Sequence, residues 1–167
     1  MPLIIGLMSG TSADGVDAAL VHIEDGARAI RLHMHAFYTW PFPSGMREAI
    51  LAASDPQTGT VDLLCRLNVA LGEVFADAAL EVCRRAGIPI DEVDLIGSHG
   101  QTVQHLPDPV LLGGHRIGAT LQLGEPSVIA ERSWAFGFIE PCRRQATAIG
   151  PSSLADVPNS SMWRRWI

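Results

Sequence analysis

Residues 10–17 read Gly-Thr-Ser-Ala-Asp-Gly-Val-Asp, a run in which almost every position offers a hydroxyl, a carboxylate or an unobstructed backbone amide. Glycines at 10 and 15 let the chain bring N–H groups close to a ligand, and Thr11 and Ser12 add hydroxyl donors. Asp14 and Asp17 are carboxylates of the kind that hold a hydrated divalent cation. Gly10, Thr11, Ser12, Ala13, Asp14, Gly15, Val16 and Asp17 together therefore form a candidate phosphate cradle, with Asp14 and Asp17 as candidate metal holders acting through water. Two other phosphate-binding designs are excluded. The chain has no lysine, so a loop that uses a lysine on the phosphates is ruled out, and no G-x-G-x-x-G follows a strand.

A second group lies far along the chain. Residues 93–97 form a short apolar run that leads into Ser98-His99-Gly100-Gln101-Thr102. Polar side chains at the carboxyl end of a strand face the crevice of an open α/β sheet, which makes His99, Gln101 and Thr102 candidate substrate or nucleotide contacts. Adjacent side chains on an extended strand point to opposite faces, which argues against Ser98 and His99 as a nucleophile and base. The remaining histidines show no metal-ligand spacing, and His33-x-His35 reads as a solvated strand face.

These residues need elements to position them. Two short, partly β-branched runs, 3–8 and 18–23, flank the first loop and read as a hairpin, with a third strand over 28–39. Then the period changes. Ser44 is placed to cap a helix over 45–54 that Asp55-Pro56 ends. Apolar residues at three- and four-residue intervals (Leu64, Leu67, Leu71, Val74 or Phe75, Ala78, Val82) give a longer helix over 61–86. Arg84 and Arg85 complement its dipole, and Gly87 and Pro89 stop it. Residues 107–118, rich in Pro and Gly, read as an exposed loop. A strand over 120–123 follows, then a helix opened by Gly124-Glu125-Pro126.

At 167 residues and 47% hydrophobic content, a single α/β domain with one sizeable core is expected. The net charge of −6, without a basic stripe, argues against a nucleic-acid partner. No apolar stretch reaches the roughly 18 to 20 residues of a membrane span, and the start lacks a basic leader and cleavage site. A cytoplasmic protein is the expectation. Cys65, Cys83 and Cys142 fit neither a zinc site nor a redox pair and read as buried thiols.

Three stretches in order, Met8-Ser-Gly-Thr-Ser-Ala-Asp-Gly-Val-Asp-Ala-Ala-Leu20, Gly97-Ser-His-Gly-Gln-Thr-Val103 and Thr120-Leu-Gln-Leu-Gly-Glu-Pro-Ser-Val-Ile-Ala-Glu131, resemble the anhydro-N-acetylmuramic acid kinases of bacterial cell-wall recycling. The resemblance covers about the first 130 residues. It implies an actin-like, sugar-kinase-type ATPase lobe with a mixed sheet opened by an antiparallel hairpin and flanked by helices. The first hairpin loop would grip the phosphates of ATP with Mg²⁺, and the substrate would be an amino sugar. It also implies a homodimer.

Beyond Ser133 the sequence departs from the family, whose members continue with Asp-Phe-Arg and a catalytic Asp. With the register kept, Glu140 falls at the first of these and Gln145 near the second, and a glutamine amide cannot accept a proton as a carboxylate does. The general base is therefore unassigned. Trp134, Trp163 and Trp166 crowd this segment, and the balance shifts from eight arginines against sixteen acids over 1–133 to four against two afterwards. Residues 1–133 are thus expected to be the kinase's N-terminal lobe. Residues 134–167 would be a divergent tail, frameshifted or truncated, or else a natural variant C-terminus. The chain is read as a fragment of the kinase, the alternative being a catalytically silent nucleotide- or sugar-binding remnant.

Overall fold

The structure is a computed structural model, described here over residues 1–25, 30–133, 137–139 and 147–149. Its frame is a mixed sheet. The first strand, β1 (Leu3–Ser9), alternates buried Leu3, Ile5 and Leu7 with exposed Gly6 and Met8. Such alternation belongs to a sheet with one covered face and one open face. Antiparallel neighbours follow: β2 (Gly15–Asp25) pairs with β1, and β3 (Ile30–Pro41) pairs with β2. The next strand in space is β4 (Leu95–Leu112), which runs parallel to β1 and pairs Ile5 with Ile96 and Ser9 with Gln101. Two three-residue strands, β6 (Gly137–Ile139) and β7 (Thr147–Ile149), extend the sheet beyond β4.

The covered face is built by helices. Between β3 and β4 lie α1 (Met46–Ser54) and α2 (Val61–Ala86). Leu67, Leu71, Val74, Phe75, Ala78, Ala79 and Val82 of α2 share one core with Leu3, Ile5, Leu7, Val16, Ala18 and Leu20 of the first two strands. Both Val74 and Phe75 are buried, so the stripe is wider than a strict seam. The ends of α2 follow from local chemistry. Thr60 accepts a hydrogen bond from the Leu63 N–H at 3.2 Å, and Gly87 and Ile88 donate to the carbonyls of Arg84 and Cys83. A single 3-10 turn at Ile90–Glu92 leads into β4. The last helix, α3 (Pro126–Ser133), begins with proline at its first position, as expected. Asn68 of α2 holds its entry, accepting from Gly124 N–H at 2.9 Å and donating to Glu125 at 2.8 Å.

Several expectations need correction. Ser44 does not cap α1: the N-cap position is Gly45, with no side-chain bond to the helix. Residues 107–118 are not a loop but the outer part of a hairpin made by β4 and β5 (His115–Leu123). Gly113 and Gly114, at φ 57° and 82°, form the two-residue turn that the right-handed twist of paired strands favours. Exposure was read correctly there, since Val110, Leu111 and Leu112 are more than 60% exposed. The strand expected over 93–97 therefore runs on through His99 and Gln101, and that expected over 18–23 begins at Gly15. Cys83 is buried but Cys65 is exposed; Cys142 lies outside the described residues. His33 and His35 are exposed, as their spacing suggested.

Candidate functional site

The loop between β1 and β2 is a tight turn held from below. Ala13 N–H donates to the Gly10 carbonyl at 3.2 Å, closing it. Ala13 itself has φ 49°, the positive-φ non-glycine among the described residues, and its methyl is only 2% exposed. The side chain thus anchors the turn in the core while the backbone reverses hand. Successive residues of opposite hand make a concavity of N–H groups that suits an anion. Among the described residues, no backbone carbonyl accepts from the N–H of Thr11, Ser12 or Asp14. Thr11, Ser12 and Asp14 are exposed.

A buried polar post supports that turn. Ser9, 3% exposed, holds its hydroxyl 2.8 Å from the Gly15 carbonyl and 2.6 Å from Gln101 Oε1. One hydroxyl proton is shared between two acceptors. Gln101, 2% exposed, donates from Nε2 to the carbonyls of Thr102 at 3.0 Å and Gly10 at 3.5 Å. The loop of the first hairpin and the middle of β4 are therefore one hydrogen-bonded unit although 92 residues separate Ser9 from Gln101. Close backbone approach does the rest: a Cβ on Gly15 would lie 2.5 Å from the Trp40 carbonyl oxygen, and one on Gly100 2.7 Å from that of Leu123.

The acids lie on the open side. Asp14 accepts from the Ser12 hydroxyl at 2.7 Å, and Asp17 from the Thr39 hydroxyl at 2.6 Å. Asp17 is paired across strands with exposed Met8 and with Thr39, which puts it on the uncovered sheet face. Among the described residues, no group of three His, Cys, Asp or Glu is close enough to ligate a metal directly.

The residues of the second group are divided. His99 is half-buried, its Nδ1 3.3 Å from the Gly100 carbonyl. Gln101 turns beneath the loop rather than into open space. Thr102 is half-buried and accepts from Gln122 Nε2 at 3.4 Å. Gln145 and Glu140 lie outside the described residues.

Three participants escaped sequence reading. Ser9 continues the inward series Leu3, Ile5, Leu7, and a hydroxyl in that series was the available signal. Thr39 and Arg47 carried none, because pairing of β3 and packing of α1 bring them to the loop; Arg47 Nε donates to the Ser12 carbonyl at 3.3 Å.

The sheet and helices make an α/β domain whose first hairpin presents an anchored, polar turn. Comparison with known proteins gives the family. Residues 2–159 match the profile of anhydro-N-acetylmuramic acid kinase, and the chain belongs to that family. A protein of that name from Caldanaerobacter subterraneus subsp. tengcongensis is 45% identical over 131 residues, 78% of this chain and 33% of the relative. One from Bacillus cereus strain G9842 is 48% identical over 127 residues, 76% of this chain and 32% of the relative. One from Salinibacter ruber is 43% identical over 129 residues, with 77% and 32% covered. The chain spans about a third of the length of the curated relatives it matches. No helix among the described residues is long and apolar enough to cross a membrane.

Proposed function

We propose that this chain is the phosphate-binding lobe of an ATP-dependent kinase that phosphorylates anhydro-N-acetylmuramic acid. Water opens the anhydro bridge as the terminal phosphoryl group of ATP passes to the sugar oxygen, leaving N-acetylmuramic acid 6-phosphate and ADP. The observation that carries this reading is the turn itself: exposed Thr11, Ser12 and Asp14, whose N–H groups no backbone carbonyl takes up among the described residues, above the buried Ser9–Gln101 post.

In such chemistry the protein chiefly positions groups and stabilises charge. Residues 10–17 would receive the ATP phosphates, and Asp14 and Asp17 would hold hydrated Mg²⁺, which would offset part of the negative charge there. His99 and Thr102 stand where β4 emerges beside this loop and would face the amino sugar; Gln101 would serve by fixing the loop. The lobe is of the actin-like, sugar-kinase type on this reading, formed by residues 1–133, with 134–167 a divergent tail of a fragment. On this reading the chain works in the cytoplasm as a homodimer, with no nucleic-acid or membrane partner. The exposed apolar outer part of the β4–β5 hairpin supports association with a second copy.

A second reading, a catalytically silent nucleotide- or sugar-binding remnant, is favoured by Gln145 at the expected position of the base. A coupled ADP-release assay with the anhydro sugar, run beside calorimetric titration with MgATP, separates the two. Turnover supports the kinase; MgATP binding without turnover supports the remnant; neither overturns the phosphate cradle.

A further inference from the structure

We infer that Arg47 is the cationic phosphate contact of this site, supplying the positive charge that a triphosphate requires and that no lysine of this chain can supply. The inference rests on the phosphate-cradle reading of residues 10–17 and adds a residue to it.

The loop by itself is poorly charged for an anion. Its amides are neutral donors, and its two ionisable side chains, Asp14 and Asp17, are acids. One divalent cation carries two positive charges against two carboxylates and a triphosphate, so a net negative charge remains to be met by the protein. Arginine is the sole candidate type, since the sequence has twelve Lys and Arg residues and all are arginine.

Among the described residues, which leave out Arg28, Arg143, Arg144, Arg164 and Arg165, position selects one of them. Arg84 and Arg85 are engaged with Glu81 at the C-terminal end of α2, and Arg132 bridges Glu73 and Asp77. Arg31 is paired with Glu24 at the far end of the β2–β3 ladder, and Arg116 with Leu111 near the tip of the β4–β5 hairpin. Arg47, in the first turn of α1, bonds through Nε to the Ser12 carbonyl, and among the described residues no carboxylate pairs with it. One of the five guanidinium N–H groups is used by that bond, so both terminal nitrogens remain for an anion, in the planar fork that suits phosphate oxygens. Arg47 is exposed, and its anchor, Ser12, follows Thr11 in the turn whose Thr11, Ser12 and Asp14 amides no backbone carbonyl takes up among the described residues.

A purely structural role, bracing Ser12, predicts something different from a charge role. Calorimetric titration of the full 167-residue chain with MgATP and with AMP distinguishes them. For Arg47→Ala, MgATP affinity should fall about tenfold to a hundredfold, the usual range for losing a hydrogen bond to a charged partner, while AMP affinity changes much less. Arg47→Gln, which keeps a donor for Ser12 but no charge, should lose as much, and Arg47→Lys should recover part. Arg66→Ala, removing an exposed arginine on α2, should leave MgATP binding unchanged. If Arg47→Ala or Arg47→Gln binds MgATP within twofold of the parent chain, or Arg66→Ala weakens it equally, the assignment is overturned and the cradle stands. Absence of MgATP binding by the parent chain removes both.

Discussion

Replacing Ser9 by alanine tests the coupling on which the loop's position depends. The hydroxyl is 2.6 Å from Gln101 Oε1 and 2.8 Å from the Gly15 carbonyl, and Ser9 and Gln101 are at most 3% exposed. Removing it deletes one hydrogen bond, with a net worth of about 1 kcal/mol, and leaves a buried amide oxygen without a donor, at a further cost of about 1–3 kcal/mol. A loss of about 2–4 kcal/mol follows. For a domain of this size each kcal/mol lowers the melting temperature by about 2–4 °C, so Ser9→Ala should melt about 4–16 °C below the parent chain. Urea unfolding followed by circular dichroism at neutral pH reads the same quantity. A double-mutant cycle with Gln101→Met should give a coupling of about 1–2 kcal/mol, because the two side chains touch. The reasoning fails if Ser9→Ala stays within about 0.5 kcal/mol of the parent, the range of ordinary surface changes, or if the two substitutions are simply additive.

Two further outcomes concern the titrating groups of α2. Burial pushes the Cys83 thiol up to about 11, while Cys65 is exposed, so iodoacetamide at pH 8 should label Cys65 and spare Cys83 until the chain is unfolded, as peptide mapping would reveal. Hydrogen bonds from Arg84, and then from Arg85, hold the Glu81 carboxyl at about 2 instead of 4.5. A lowered carboxyl stabilises the fold above its unfolded value and loses that contribution as pH falls through its folded one. The stability gap between the parent and Glu81→Gln should therefore be constant above pH 4.5 and close between 4.5 and about 2; a gap that persists at pH 2 in urea titrations contradicts the pairing.

Much of the scaffold was legible because it is written in local periods. The alternation of β1 and the three- and four-residue spacing of α2 specify what each element buries whatever surrounds it. The Gly87 stop and Pro126 at the start of α3 are likewise decisions made within one turn of chain. Where the reading went astray, local chemistry was ambiguous. Two glycines at 113 and 114 mark a loop and a hairpin turn equally well until the flanking strands are seen to pair. Ser44 is a good cap by type, yet the chain enters α1 through a left-handed Gly45 that leaves it outside.

The site divides along the same line. The sequence by itself determined that a polar turn rich in glycine, hydroxyl and carboxylate groups joins the first two strands, because those residue types need no partner to be recognised. Only the tertiary structure decided what each side chain does there. Parallel pairing of β1 with β4 turned Gln101 into a post beneath the loop, and the approach of α1 delivered Arg47 to its rim. Contacts between residues tens of positions apart depend on strand register and helix docking, which arise from the summed burial of a whole core and leave no mark at either residue.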